Sequence, residues 1–315
     1  MKLHELIERY ITFRQTLGDR FLSAARCLRG FARAIGRSAT VRAVRRKQVD
    51  AFLVGDGPIT SSWHVKYSTL LGFYRYAISR GHVAQSPLPT VLPKRPPAFV
   101  PYLYTDDEVR GLLRAAESYR PRYTCLEPVT ARAVVLALYA TGLRVHEAIA
   151  LDRRDVDLAN SLLTVRHTKF HKSRLVPFGA QLREVLMDYA ARRPAVTGNA
   201  DEPAPFFSMR SGTRLVRVTL EARFRRVCER AGIRRSDGAR YQPRLHDLRH
   251  TFAVNRLTSW YRHGADVQRL LPQLAVYLGH TCLASTQVYL SMTPELLAEA
   301  NGRFERYAGK EGSRD

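Results

Sequence analysis

Cysteine is scarce in this sequence. The four residues at 27, 125, 228 and 282 fit neither a zinc knuckle nor a small disulfide framework. They are read as core packing in a reducing cytoplasm. No run of about 18 apolar residues occurs, so no transmembrane helix is expected. The N-terminal stretch MKLHELIERYITFRQ reads as a charged amphipathic helix and not as a signal peptide. Lipidation signals, internal repeats and low-complexity tracts are absent too, which argues against a membrane surface as partner. Acid is the last shortage: 28 Asp and Glu stand against 51 Lys and Arg, a formal net charge of +23.

A merely soluble surface mixes both signs, so this excess points to an anionic polymer. The charge is spread along the chain, +12 over residues 1–100 and +11 over the rest. Both parts are therefore expected to touch that partner. A basic protein with no polyanion ligand is the bland alternative.

A chain of 315 residues with 45% hydrophobic content can bury about two domain cores. Six prolines fall between Pro87 and Pro101; they cannot continue a helix and favour an extended linker. The expected division is 1–88, a linker over 89–103, and 104–315. Leu3, Leu6, Ile7, Tyr10 and Phe13 recur at helical spacing. Leu22 to Ile35 suggests a second helix with Gly36 near its end, Val41 to Leu53 a third, and Trp63 to Ile78 a fourth. Arg26, Arg29, Arg33 and Arg37 recur every three or four residues and predict a basic stripe on the second helix. A merely solvated face is the competing reading.

Beyond the linker, Thr105-Asp-Asp-Glu108 is a capping-box signature. A helix follows from about Thr130 to Tyr139, stopping at Thr141-Gly142. Alternating stretches over 155–158, 161–166 and 173–178 predict a small antiparallel sheet. Helices are expected again near 181–192, 214–231, 246–260, 267–278, 283–290 and 294–307. The fold class is thus mainly α, with a small antiparallel β-sheet.

Four clusters carry chemistry. They are Thr141-Gly-Leu-Arg144-Val-His-Glu147; Lys169 between two expected strands; His246-Asp-Leu-Arg249-His250; and Leu278-Gly-His280, followed nine residues later by Tyr289. Arginine presents a rigid donor fork suited to phosphate oxygens. Two arginines and a histidine can neutralise charge on a pentacovalent phosphorus. Lysine can protonate a leaving oxygen, and a tyrosine hydroxyl can attack phosphorus. Each residue alone is ordinary: an isolated histidine is more often structural, and a tyrosine on an apolar helix face is usually core. Their order and spacing carry the argument. His246 and His250, four apart on a helix, could also form half of a zinc site.

In that order and spacing the chain resembles the tyrosine recombinase, or phage integrase, family. The family pattern is an arginine in a T-G-L-R-x-x-E box, a hairpin lysine, an H-x-x-R box, a histidine or tryptophan, and a tyrosine. Arg144, Lys169, His246, Arg249, His280 and Tyr289 fill those positions, and Glu147 matches the acidic one. Arg174-Leu-Val-Pro177 matches the hairpin exit and selects Lys169 over Lys172, although Thr168 and Phe170 stand where glycines usually flank the lysine. The resemblance covers about 104–308 well and residues 1–90 more loosely, as a helical core-binding domain. It implies cleavage of double-stranded DNA through a 3′-phosphotyrosyl bond, without metal or nucleotide cofactor. It also implies an inverted-repeat core site, and a homotetramer or an assembly with sister recombinases on the nucleoid. Residues around Leu271-Pro-Gln-Leu274 form an extra turn that resembles integrases of mobile elements. Leu296, Leu297, Ala300 and Phe304 are expected to dock on a neighbouring protomer or to pack within the chain. Two readings stay beside this one: a catalytically silent DNA-binding protein of the same fold, and a type IB topoisomerase.

Overall fold

Apolar residues three and four apart along residues 3–11 build the first helix. The structure, a computed structural model, describes residues 1–96, 99–120, 122, 125–166, 173–193, 203–239, 241–280, 282–291, 298 and 301. The chain divides into two compact units, Met1–Phe99 and Val100–Asp315.

In the first unit, α1 (Leu3–Thr16) buries Leu3, Leu6, Ile7, Tyr10 and Ile11. Phe13 stays partly exposed and stacks on Tyr76 with ring centroids 5.3 Å apart. Helix α2 (Leu22–Ile35) turns Ala25, Leu28, Phe31 and Ala32 inward. Gly36 ends it at a φ of 113°, a conformation glycine alone adopts without strain. Arg37 therefore lies beyond the helix, and the expected basic stripe has three members on α2, not four.

The third expected helix is broken. A 3-10 turn (Val41–Ala43) precedes α3 (Arg46–Val54), because Val44 and Arg45 are extended. The Gln48 side chain accepts from the Arg45 backbone N–H at 2.9 Å and starts the helix afresh. Helix α4 (Ser61–Ser79) completes the core with Trp63, Leu70, Phe73, Tyr74 and Ala77.

The second unit opens with α5 (Asp106–Ser118). Thr105 Oγ1 accepts from the Glu108 N–H at 3.2 Å and Glu108 Oε2 accepts from the Thr105 N–H at 2.8 Å. That reciprocal pair is the expected capping box. Helix α6 (Pro128–Thr141) begins on proline and is apolar nearly all round, with Val134, Val135, Ala137 and Leu138 buried. Such a helix must lie inside, and α6 packs against α5, α8 and α10. Each fully buried Leu or Val adds roughly 1.5–3 kcal/mol, so Leu138→Ala should cost about 2–5 kcal/mol once the cavity it leaves is included.

A short helix that periodicity did not reveal, α7 (Val145–Ala150), follows. Then come β1 (Val156–Asp157), β2 (Leu162–Val165) and β3 (Arg174–Pro177), paired antiparallel in the order β1-β2-β3. Val165 faces Arg174 across the β2–β3 pair. The remaining described helices are α8 (Ala180–Arg192), α9 (Arg217–Arg230), α10 (Leu245–Arg262), α11 (Val267–Leu278) and α12 (Ala284–Gln287). A 3-10 turn (Val288–Ser291) ends this run. The helix expected over 283–290 is thus an α-turn passing into a tighter one. The helix expected over 294–307, with Leu296, Leu297, Ala300 and Phe304, falls outside the described residues apart from 298 and 301. Phe252, Leu257, Leu271, Leu274, Leu278 and Tyr289 form a small separate core under the site.

Candidate active site

Gly142 ends α6 in the left-handed region, at a φ of 62°. A Cβ there would lie 2.6 Å from Phe252 Cδ1 and 2.9 Å from Leu278 Cδ2. Both the conformation and the space demand glycine. The chain then turns straight into α7, and Arg144 takes the position before its first residue. Glu147, one turn on, accepts from the Arg144 backbone N–H at 2.9 Å and from Arg144 Nη1 at 2.9 Å. The rest of the Arg144 fork reaches α11: Nη1 donates to Leu278 O at 3.3 Å and Nη2 to Gly279 O at 2.8 Å.

Arg249 comes to the same place from the middle of α10. It is 2% exposed. Its Nη1 donates to Gly142 O and its Nη2 to Leu278 O, both at 2.7 Å. Burial first, and the Arg144 charge second, push its pKa down to about 10, so it remains a cation at neutral pH. Three carbonyls at the C-terminal end of α11 thus face guanidiniums, since Arg174 Nε donates to Tyr277 O at 2.8 Å. Helix ends leave such carbonyls without intrahelical partners and carry partial negative charge.

Gly279, at a φ of 69°, closes α11, and His280 follows at once. The His280 ring is held by Nδ1, 2.7 Å from the hydroxyl of buried Thr286. Tyr289 stacks near it, ring centroids 6.1 Å apart and planes at 22°. The tyrosine is 3% exposed. Burial raises its pKa, and the charges of Arg249 and Arg144 oppose that rise. It is a neutral phenol until a base takes its proton.

Two more imidazoles complete the cluster. His250 lies 5.6 Å from the Tyr289 ring, and His246 meets His250 edge to face at 4.9 Å. Desolvation first, then the charges of Arg249 and Arg244, lowers the His246 pKa although the residue keeps solvent access. Desolvation also brings His250 and His280 down to about 4. All three are neutral, proton-accepting groups at neutral pH.

The structure therefore brings Arg144, Glu147, His246, Arg249, His280 and Tyr289 together. Lys169 and Lys172 lie outside the described residues, and only the base of their hairpin, Val165 opposite Arg174, is seen. Arg26, Arg29 and Arg33 are exposed on α2, but Arg29 makes a double hydrogen bond to Glu8 of α1, at 2.8 Å on each arm. Three site residues were not singled out from sequence. Arg174 pairs with Glu147, and Thr286 orients His280. His250 was weighed only as half of a zinc pair, yet its spacing from His246 already put both rings on one helix face. Among the described residues no group of three His, Cys, Asp or Glu side chains could hold a metal. A cavity of about 910 Å³ opens beside Arg144 and His246, with Arg217, Arg225, Arg234 and Arg244 on its walls. Among the described residues no helix is long and apolar enough to cross a membrane.

The model of the phage integrase family matches residues 103–295. A Sinorhizobium fredii protein named as an integrase/recombinase is 36% identical over 305 residues, 96% of each chain. The tyrosine recombinase XerD of Mycobacterium tuberculosis is 34% identical over 229 residues, 72% of this chain and 68% of its own. Among solved structures, the Tn1549 transposon integrase in complex with a circular intermediate DNA superposes with a TM-score of 0.73 at 17% identity. It covers 97% of this chain and 99% of that one. A λ integrase dimer bound to a COC′ core site gives 0.65 at 20%, covering 90% and 96%. At those identities the likeness concerns the fold. The family match and the 36% relative go further: this chain belongs to the phage integrase family, the tyrosine recombinases, and is a site-specific DNA recombinase.

Proposed function

We propose that the chain cuts and rejoins DNA through a covalent bond between Tyr289 and a 3′ phosphate, in the integration or excision of a mobile element. The observation that carries this reading is the convergence of Arg144, Arg249, His280 and Tyr289 on one end of α11. The Tyr289 oxygen attacks phosphorus, and the bond from phosphorus to the 5′ oxygen breaks. Arg144, Arg249 and His280 hold the non-bridging oxygens, where charge builds up. The phenol proton passes to a neutral imidazole, with His246 as the acceptor. Lys169 gives a proton to the departing 5′ oxygen. Phosphate bond energy stays in the phosphotyrosine, so rejoining reverses the same steps with a different 5′ hydroxyl.

The charge distribution supports a duplex gripped by both units. Arg26, Arg33 and, more weakly, Arg29 and Arg37 would serve the first, and the arginine-lined cavity beside Arg144 the second. The first unit would then be the core-binding domain, the stretch 89–103 its linker and 104–315 the catalytic domain. The transposon integrase with this fold, described on circular intermediate DNA, favours the mobile-element role. The protein would assemble on paired inverted repeats as a tetramer, alone or with sister recombinases, and would act on the nucleoid in the cytoplasm.

The test uses nicked duplexes built from inverted repeats in the DNA flanking the gene. Wild-type protein should form an adduct that survives a denaturing gel. Tyr289→Phe should bind the same duplex and form none. An adduct persisting in Tyr289→Phe would assign the nucleophile elsewhere. Relaxation of plasmids lacking any such repeat would favour a topoisomerase.

A further inference from the structure

Glu147 is a carboxylate with every acceptor direction in use. Oε1 accepts from Arg144 Nη1 and from Arg174 Nη1, both at 2.9 Å. Oε2 accepts from the Arg144 backbone N–H at 2.9 Å and from Arg174 Nη2 at 2.8 Å. A carboxylate offers about four lone-pair directions, so nothing is left for solvent or substrate, and its side chain is only 3% exposed.

Arg144 is the partner that keeps an open side, with 27% of its side chain exposed. A guanidinium has five N–H groups. Two on Nη1 and one on Nη2 are used by Glu147, Leu278 O and Gly279 O. Among the described residues one on Nε and one on Nη2 have no partner. These lie along a single edge, the fork that matches two oxygens of a phosphate. Which way this edge faces depends on what grips the other.

Arg174 supplies that grip. It sits on β3 with its side chain 9% exposed and spans two elements, Glu147 of α7 and the Tyr277 carbonyl of α11. Its guanidinium lies directly over Gly279, where a Cβ would come within 2.8 Å of Nη1 and 2.9 Å of Cζ. A second arginine thus fixes the carboxylate and the helix end to which Arg144 is tied. We propose that Arg174 is a positioning residue for phosphate capture, holding the free edge of Arg144 toward the reacting phosphate through Glu147 and the end of α11. The proposal rests on the reading that Arg144 binds that phosphate. Burial alone would raise the Glu147 carboxyl, and the Arg174 hydrogen bonds and charge reverse this, consistent with a clamp built on charge.

A tie that only stabilised the fold would lower every activity alike, so the test needs a substrate that asks less of Arg144. Methylphosphonate at the scissile position replaces a charged non-bridging oxygen with methyl and lowers the demand for a cation. The full chain is compared on phosphate and methylphosphonate versions of the duplex that gives the Tyr289 adduct, under single turnover. Arg174→Gln should slow cleavage of the phosphate substrate by roughly ten- to a hundredfold. Its DNA affinity should stay near wild type, and most of the loss should disappear on methylphosphonate. Arg174→Lys keeps the charge but cannot span both Glu147 oxygens and the Tyr277 carbonyl; it should fall between the two. Gly279→Ala removes no charge, but it strains a backbone held at φ 69° and disturbs the carbonyl that accepts from Arg144, so its loss acts on Arg144 directly as well as through Arg174. If Arg174→Gln does not fold, Arg174→Lys carries the same comparison. Equal losses on both substrates would overturn the positioning role. Failure of methylphosphonate to relieve Arg144→Ala would instead overturn the assignment of Arg144, independently of Arg174.

Discussion

Arg249 Nη2 donates to the Leu278 carbonyl at 2.7 Å, tying the middle of α10 to the last residue of α11. The same side chain caps the carbonyl of Gly142 at the end of α6. One buried cation therefore holds three helices and lines the site. Arg249→Ala leaves the Gly142 carbonyl without its donor, costing about 1–3 kcal/mol when buried, and leaves Leu278 O with only the 3.3 Å bond from Arg144 Nη1. We expect a clearly lower Tm together with loss of the covalent adduct. Arg249→Lys restores a charge but cannot reach both carbonyls at once, so stability should recover more than cleavage. Thermal melts beside the adduct gel decide this. Wild-type cleavage in Arg249→Ala would remove Arg249 from the phosphate site.

Lys169 is separated from Lys172 by chemistry, since both lie outside the described residues. A general acid matters when the leaving group is poor. A 5′-bridging sulfur leaves without a proton. Lys169→Ala should cleave ordinary DNA slowly and recover on the sulfur-bridged duplex, whereas Arg144→Ala and Arg249→Ala should not recover comparably. Lys172→Ala should cleave both normally. Sulfur rescue of Lys172→Ala alone would shift the hairpin register to that residue.

The α2 arginines are not equivalent. Arg29 already shares its charge with Glu8 through two hydrogen bonds, whereas no ion pair is seen at Arg26 or Arg33 among the described residues. Each lost phosphate contact should reduce the slope of log affinity against log salt by about 0.9. Arg26→Ala and Arg33→Ala should each flatten the slope by that amount, on specific and random duplexes alike. Arg29→Ala should change it less, because the lost cation also frees an acid. Unchanged slopes for Arg26→Ala and Arg33→Ala would make this helix face an ordinary solvated surface.

Acidification should destabilise the protein in two stages. His250 and His280 titrate near 4 in the fold against an ordinary 6.5. The native state prefers their neutral forms, so this stability is complete above pH 6.5 and is lost as pH falls toward 4. Glu147 titrates near 2 against an ordinary 4.5. Its contribution, on the order of 3 kcal/mol, is present above pH 4.5 and disappears as pH falls toward 2. Tm measured from pH 7 downward should decline through both windows. His280→Gln should flatten the first decline and Glu147→Gln the second. A Tm constant between pH 6.5 and 4 would contradict the buried neutral histidines.

Most of the fold was legible in the sequence: periodicity exposed α1, α2, α4, α6 and α8 to α11, and alternation exposed the three strands. The arginines, histidines and tyrosine of the candidate site are visible there as letters in order. What periodicity could not see are features set by backbone caps. The six-residue α7 has too few turns to show a pattern, and it exists because Glu147 folds back onto Arg144. The break at Val44–Arg45 likewise depends on the Gln48 side chain. Arg174 was visible only as a register marker; its partners Glu147 and Tyr277 lie 27 and 103 residues away, and such contacts belong to tertiary packing. The pairing of Arg29 with Glu8 escaped for the same reason.

Three guanidiniums, from Arg144, Arg174 and Arg249, share one carboxylate and the carbonyls of one helix end. Like charges held this close, with Arg249 almost wholly out of water, leave the free protein electrostatically frustrated. The imbalance is a local stability cost kept at a functional site. On the proposed reading, an anion of suitable shape that enters relieves the repulsion, so part of the affinity for a phosphate is set by the fold itself.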